Sequence, residues 1–455
     1  MEQLLEAVGR KRLLIHASFW AIAGILIGWF SSAFGGASAG EYDPAQISAG
    51  DTAWMLMATA LVMLMTPAVG FFYGGMVSSK NVVSVIKQSV AILALVSVQW
   101  VLLGYSLAFG PGGNSFLGGL EWFGLQDVGF APNPDYASTI PHLVFMVYQG
   151  MFAVITPALI IGAFVGRIRF STLLVFSLLW TTLVYDPVAH WVWGTGGLLR
   201  GLGALDFAGG TVVHMTAGFS ALAAALVIGK RMNAEEHPAV SANNIPFVLL
   251  GAILLWFGWF GFNAGSALAA GVLAANAFVV TNIAAAAAAL VWVGLSYAEN
   301  RHPSAMAAAI GAVCGLVAIT PASGFVGPIA ALSIGVLGGV VTYVAVHIRI
   351  SRIKIDDTLD VWAAHGIGGL TGAVLTGVFA EKAVNAAGAD GALFGNPQLL
   401  LTQLIAVCVV AAYSFVVTWV VLKLLSLRAP LRVTSQEESE GLDISVHGEQ
   451  GYRLQ

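Results

Sequence analysis

From 207 to 229 the chain reads FAGGTVVHMTAGFSALAAALVIG, a charge-free stretch longer than the ~20 residues a helix needs to cross a bilayer. Its one ionisable side chain is His214, and Asp206 stands just before it. The pattern returns at 360–380, DVWAAHGIGGLTGAVLTGVFA, with Asp360, a lone His365 and a helix of small and branched apolar residues. An ionisable group at membrane depth is costly unless it faces a cavity or a partner, so two such histidines point to one polar path. Composition agrees: 58% of the residues are hydrophobic and 9% charged, against roughly a quarter charged in soluble domains. A water-exposed globular surface cannot be covered from that supply. The 54 glycines let helices approach through small faces, which matters where lipid removes the hydrophobic drive for association. A net charge of -4, thinly spread, does not suggest a nucleic-acid partner.

The expected fold class is an all-α membrane protein with eleven transmembrane helices, at about 53–78, 82–109, 140–166, 171–190, 207–229, 245–268, 275–298, 304–320, 325–348, 360–380 and 398–426. Ahead of a membrane domain over 51–427, Arg10, Lys11 and Arg12 lead into an apolar run and Ala37-Ser38-Ala39. Residues 1–39 therefore read as a signal peptide cleaved before Gly40, with an uncleaved extra helix as the competing reading. Counted from an outer start at residue 50, fourteen Lys and Arg residues fall on inner segments. Only Arg200 and Lys382 fall on outer loops. That asymmetry sets a cytoplasmic C-terminus in a multi-pass inner-membrane protein.

The two histidine spans are five crossings apart and so run in opposite directions. This is the parity of an inverted 5+5 repeat with the eleventh helix outside it, and such folds place their site near the midplane between the halves. Depth arithmetic sharpens the expectation. His214 lies eight residues past Asp206, about 12 Å, and His365 lies five past Asp360, about 7.5 Å. In a ~30 Å core the imidazoles meet only if one or both aspartates are sunk below the boundary. N-capping is the plain reading of both aspartates, with Asp206 accepting the amides of Ala208 or Gly209.

One buried histidine alone is better read as a satisfied core residue. Two in matching places of antiparallel repeats reverse that preference. No Cys, Asp or Glu lies near either on the midplane side, so no metal and no cofactor is expected, and a membrane metalloenzyme is disfavoured. Cys314 and Cys408 read as isolated apolar thiols. Aromatic residues supply further candidates. Tyr148 and Phe152 are four apart on one helix face, as are Phe262 and Ser266 within WFGWFGFNAGS. In YDPVAHWVWGTGG, Trp191 and Trp193 suit an interfacial aromatic belt or a ring face holding a cation.

Five long motifs carry a resemblance: TALVMLMTPAVGFFYGGMV, LDFAGGTVVHMTAG, WFGWFGFNAGS, DDTLDVWAAHGIGG and GLDISVHGE. Over about 51–450 the chain resembles the bacterial branch of the ammonium transporter family. The resemblance implies a homotrimer, each subunit with its own narrow hydrophobic pore for ammonium or ammonia. It implies an outer ammonium-recruiting vestibule at Trp193, Tyr148, Phe152 and Ser266, and a gate of Phe152 and Phe262. His214 and His365 match the twin pore histidines, and Asp206 an aspartate that holds the conducting structure. Tyr148, where phenylalanine is common, the longer Gly194-Thr195-Gly196-Gly197 segment and the N-terminal stretch depart from the family pattern.

A chemical filter follows. Ammonium and potassium are alike in charge and size, and only ammonium can lose a proton. Recruitment by ring faces and the Ser266 hydroxyl, deprotonation near the two phenylalanines and passage of ammonia along the imidazoles form the expected route, electrogenic if the pair relays the proton. The rivals are an electroneutral ammonia or gas channel and an ammonium sensor; a membrane enzyme ranks third. The acidic tail, 428–455, is either solvated or, as the resemblance implies, a cytoplasmic regulatory segment that binds a PII-type signalling protein.

Overall fold

The computed structural model describes residues 21, 24, 25, 28, 42–232, 234 and 241–452. The expected cleavage point before Gly40, and Arg453 of the tail, lie outside the described residues. Nine helical segments among those described are long and apolar enough to cross a bilayer. They are α1 (Ala49–Met76), α2 (Val82–Phe109), α3 (His142–Phe164), α4 (Phe170–Gly201), α5 (Gly210–Ile228), α6 (Ile245–Ala267), α7 (Val272–Asn300), α9 (Pro328–Ile353) and α11 (Pro397–Ser426). Between them lie α8 (Ala305–Ile319) and α10, which opens as Trp362–Ile367 and continues as Gly368–Phe379. Every expected span therefore coincides with helix. Two are short: α8 has 15 residues, about 22 Å of rise, and α10 is built from pieces of 6 and 12 residues. The all-helical membrane architecture stands, while a count of eleven crossings depends on these two.

Local sequence explains where the helices begin. Ser48 caps α1 by accepting the Asp51 amide, Asn244 caps α6 through Phe247, and Ser304 caps α8 through Ala307. Several helices then pass through π-helical turns, including Gly210–Met215 at the start of α5, Phe260–Ala264 in α6 and Trp362–Ile367 at the start of α10. Such turns re-aim side chains and recur at functional sites. Both histidines sit on one.

α5 and α10 pack closely against each other. A Cβ on Gly218 would stand 2.1 Å from the Gly366 amide nitrogen, and one on Gly369 would stand 2.6 Å from the Gly210 carbonyl oxygen. Advancing along α5 from Gly210 to Gly218 thus means retreating along α10 from Gly369 to Gly366, so the two run antiparallel. Small faces make this crossing possible in lipid.

The connections divide between two faces. One, here the tail face, carries the turns after α1, α3, α5 and α9, together with α12 (Ser435–Glu440) and α13 (Leu442–Ser445). The other, here the Trp193 face, carries the long 110–141 connection and the turns after α4, α8 and α10. The tail packs against this face, with Leu442 and Asp443 buried. Asp443 accepts the Val83 and Ser84 amides at 3.1 and 2.7 Å, capping α2 in place of Asn81, whose own oxygen accepts the Leu442 amide. Arg432 donates to Glu438, Thr434 and Glu437 form a capping box, and the Tyr452 hydroxyl donates to Asn243.

Candidate functional site

On the Trp193 face a cavity of about 360 Å³ is lined by Phe152, Trp193, Asp206 and Ser266, with Asp135, Gln149 and Arg200 at its walls. Trp193 is fixed at both ends. Its indole Nε1 donates to the Asp206 carbonyl at 2.9 Å, and its carbonyl accepts from Arg200 at 2.6 Å. Phe152 meets Trp193 edge to face at 5.8 Å between ring centres and lies 4.4 Å from Phe262, closing the cavity floor. Ser266 donates to the Phe262 carbonyl at 2.9 Å, which leaves its oxygen lone pairs for a donor from the cavity.

Beneath Phe262 the aromatic column continues into imidazole. His214 stacks on Phe262 at 5.8 Å and on Trp259 at 5.3 Å, and His365 stacks on His214 at 5.3 Å. The two rings face each other through Nδ1 atoms 3.3 Å apart. One Nδ1 must donate and the other accept, so of the two Nε2 atoms one carries hydrogen and one does not. His214 Nε2 has no hydrogen-bond partner among the described residues. Both rings line a slot otherwise walled by apolar and aromatic groups such as Val69, Leu159, Leu255 and Val313. His365 also opens onto a second cavity, of about 220 Å³, lined by Tyr73, Trp292, Thr358, Arg349 and Asp360.

Asp206 holds the upper half of this arrangement. Its carboxylate accepts the amides of Gly209, Gly210 and Thr211 at 2.7 to 2.8 Å, that of Val212 at 3.3 Å, and the Thr211 hydroxyl. Four amide donors that would otherwise be orphaned at a helix start are satisfied by one anion. Asp206 is 7% exposed. Gly209 is among its partners and Ala208 is not, because α5 begins at Gly210.

Asp360 departs from the capping expectation. The amide of Trp362 is accepted at 2.7 Å by Asp357, while the Asp360 carboxylate pairs with Arg349 from the end of α9. Asp360 also has φ 56°, a left-handed conformation that a helix cap does not use. The third aspartate of DDTLD, Asp356, bonds Arg231, and its carbonyl accepts from buried Arg167. Burial lowers the Arg167 pKa to about 10, which still leaves it charged at neutral pH.

The Ammonium Transporter Family profile matches residues 53–452. The chain belongs to the ammonium transporter family. It is similar to the ammonium transporter of Bacillus subtilis, 50% identical over 89% of this chain and 98% of that one. It is also similar to ammonium transporter Amt1 of Archaeoglobus fulgidus, 49% identical over 89% of this chain and 100% of the other. The crystal structure of Saccharomyces cerevisiae Mep2 superposes with a TM-score of 0.82 at 36% identity, covering 90% of this chain and 95% of that chain. The protein is a multi-pass ammonium transporter and not an enzyme.

Within the transporter, one candidate recruitment residue lies elsewhere than expected. Tyr148 is fully buried, and its hydroxyl lies 2.9 Å from the Gly261 and Phe262 carbonyls and 3.2 Å from Ser266. It therefore buttresses the Ser266 turn from behind, while its neighbour Gln149 reaches the cavity wall. The Gln149 Oε1 is buried without a partner among the described residues. A polar residue next to an aromatic pair carries no periodic signal, which is why Gln149 escapes a reading by helix faces. Cys314 and Cys408 are free thiols.

Proposed function

We propose that the transporter binds ammonium in the vestibule of Trp193, Phe152 and Ser266, with Tyr148 holding the Ser266 turn, and strips one proton near Phe152 and Phe262. Ring faces attract the cation by about 0.5–2 kcal/mol, and Ser266 accepts one N–H. Entering the apolar slot removes water, which favours the neutral form. Ammonia then passes His214 and His365, which offer one donor and one acceptor, while Asp206 and Asp360 hold their helices in register. The observation that carries this reading is the histidine pair itself, buried between the Phe152–Phe262 closure and the second cavity, with the His214 Nε2 unpartnered among the described residues. A relay of the released proton across the Nδ1 contact makes the cycle electrogenic. Ammonium pulses on proteoliposomes test this: transient currents support it, and flux without current favours the electroneutral channel.

The same reading takes α8 and α10 as short spans, for eleven crossings in all, with a signal peptide or extra helix over 1–39. The charge asymmetry of the loops supports an inner-membrane protein with the Trp193 face outside and the tail in the cytoplasm. A homotrimer that receives a PII-type protein at the tail face follows from the family resemblance and from the ordered GLDISVHGE segment. Pull-down with a PII protein, with and without residues 441–455, tests that partnership.

A further inference from the structure

The two mouths differ in sign. Among the described residues, the vestibule is lined by two acidic side chains, Asp135 and Asp206, and one basic, Arg200. The cavity below His365 and the cleft beyond it, of about 390 Å³, are lined by Lys230, Arg349 and Lys354 against Asp356 and Asp360. Arg349 lines both. It is 3% exposed, its Nε pairs with the Asp360 carboxylate, and its Nη1 donates to the Ile355 carbonyl at 3.1 Å.

We infer that Arg349 is a tethered cation that closes the tail-side mouth to ammonium while leaving it open to ammonia. This rests on the proposed route past His214 and His365. Asp360 offsets part of the guanidinium's charge, but the cleft is lined by Arg349 and not by Asp360, and low-dielectric walls keep the remaining field from being screened as it would be in water. A cation approaching from the tail face meets that charge before it reaches His365. Asp360, the one acidic group among the described residues that line the cavity below His365, is already occupied by Arg349. An uncharged molecule has no net charge for the field to oppose. Equilibrium across the membrane is untouched; what changes is the rate of loading from each side. The structure thus assigns Arg349 a role in selectivity beyond joining the end of α9 to the start of α10.

The test uses the full-length transporter in sided proteoliposomes, with initial methylammonium rates measured in both directions under equal, opposite gradients. Arg349→Gln is expected to raise loading from the tail face by about tenfold, more at low than at high salt, with loading from the Trp193 face little changed. Arg349→Lys keeps the charge and the wild-type ratio. If Arg349→Gln is poorly folded because Asp360 is left unpaired, the double variant Arg349→Met/Asp360→Met removes both charges and is also expected to raise the tail-side rate. Equal effects on both directions, or an unchanged ratio in both charge-removing variants, would overturn the inference. His214→Ala in the same vesicles keeps the two questions separate: unimpaired flux there defeats the route, whatever Arg349 does to the ratio.

Discussion

Gly218 of α5 lies directly against Gly366 of α10, one residue beyond His365, so closely that a Cβ at 218 would sit 2.1 Å from the Gly366 nitrogen. The backbone cannot yield there without parting the helices that bring the two imidazoles within 3.3 Å. Gly218→Ala is expected to destabilise the transporter by about 1–3 kcal/mol and to cut methylammonium uptake by about ten- to a hundredfold. Gly294 in α7 has open space around its Cβ direction, so Gly294→Ala is the control. Thermal unfolding and uptake should respond to the first change and not to the second.

Asp206 serves three well-placed amides, a fourth at longer range and a hydroxyl from 7% exposure. Replacing it by alanine leaves those donors without an acceptor, a loss of about 3 kcal/mol. Asp206→Asn retains one oxygen and should lose about half as much. Detergent-solubilised melting curves check the order Asp, Asn, Ala; equal melting of all three would deny the carboxylate its structural part.

Docking of the tail should weaken in mild acid. His447 bonds Ser84 at 3.1 Å and packs on Phe170, and burial, with Lys87 nearby, lowers its pKa below 6.5 while Asp443 and Glu449 act weakly the other way. A histidine with a lowered folded pKa contributes stability that is full above its free value and lost as pH falls through that range. Asp443 has the opposite sign, its pKa raised by burial from 3.8. Protease cleavage of the tail is therefore expected to be faster at about pH 5.5 than at about pH 7.5, and His447→Gln should flatten the difference.

How far the sequence could be read depended on the kind of signal each residue left. His214 and His365 stood out because each is the lone ionisable group in an apolar span, and antiparallel parity put them in matching places of the two repeats. Asp206 was legible as an N-cap in a short reach of its own helix. Asp360 was not, since DDTLD offers three aspartates and the choice among them depends on Arg349, Arg231 and Arg167. Two of those partners lie more than a hundred residues away in the chain. Tyr148 illustrates another limit: helical spacing put it on the face of Phe152, but its hydroxyl is claimed by the carbonyls of Gly261 and Phe262. The tail's acidity suggested solvation, yet Asp443 spends its charge on the start of α2.

The most direct test of the central claim is selectivity through the histidine pair. Wild-type transporter and His214→Ala should be compared on solid-supported membranes with ammonium and with potassium pulses. The account predicts an ammonium response and no potassium response in the wild type, and in His214→Ala either the loss of the ammonium response or the appearance of a potassium leak. An ammonium signal of wild-type size with potassium still excluded would contradict it.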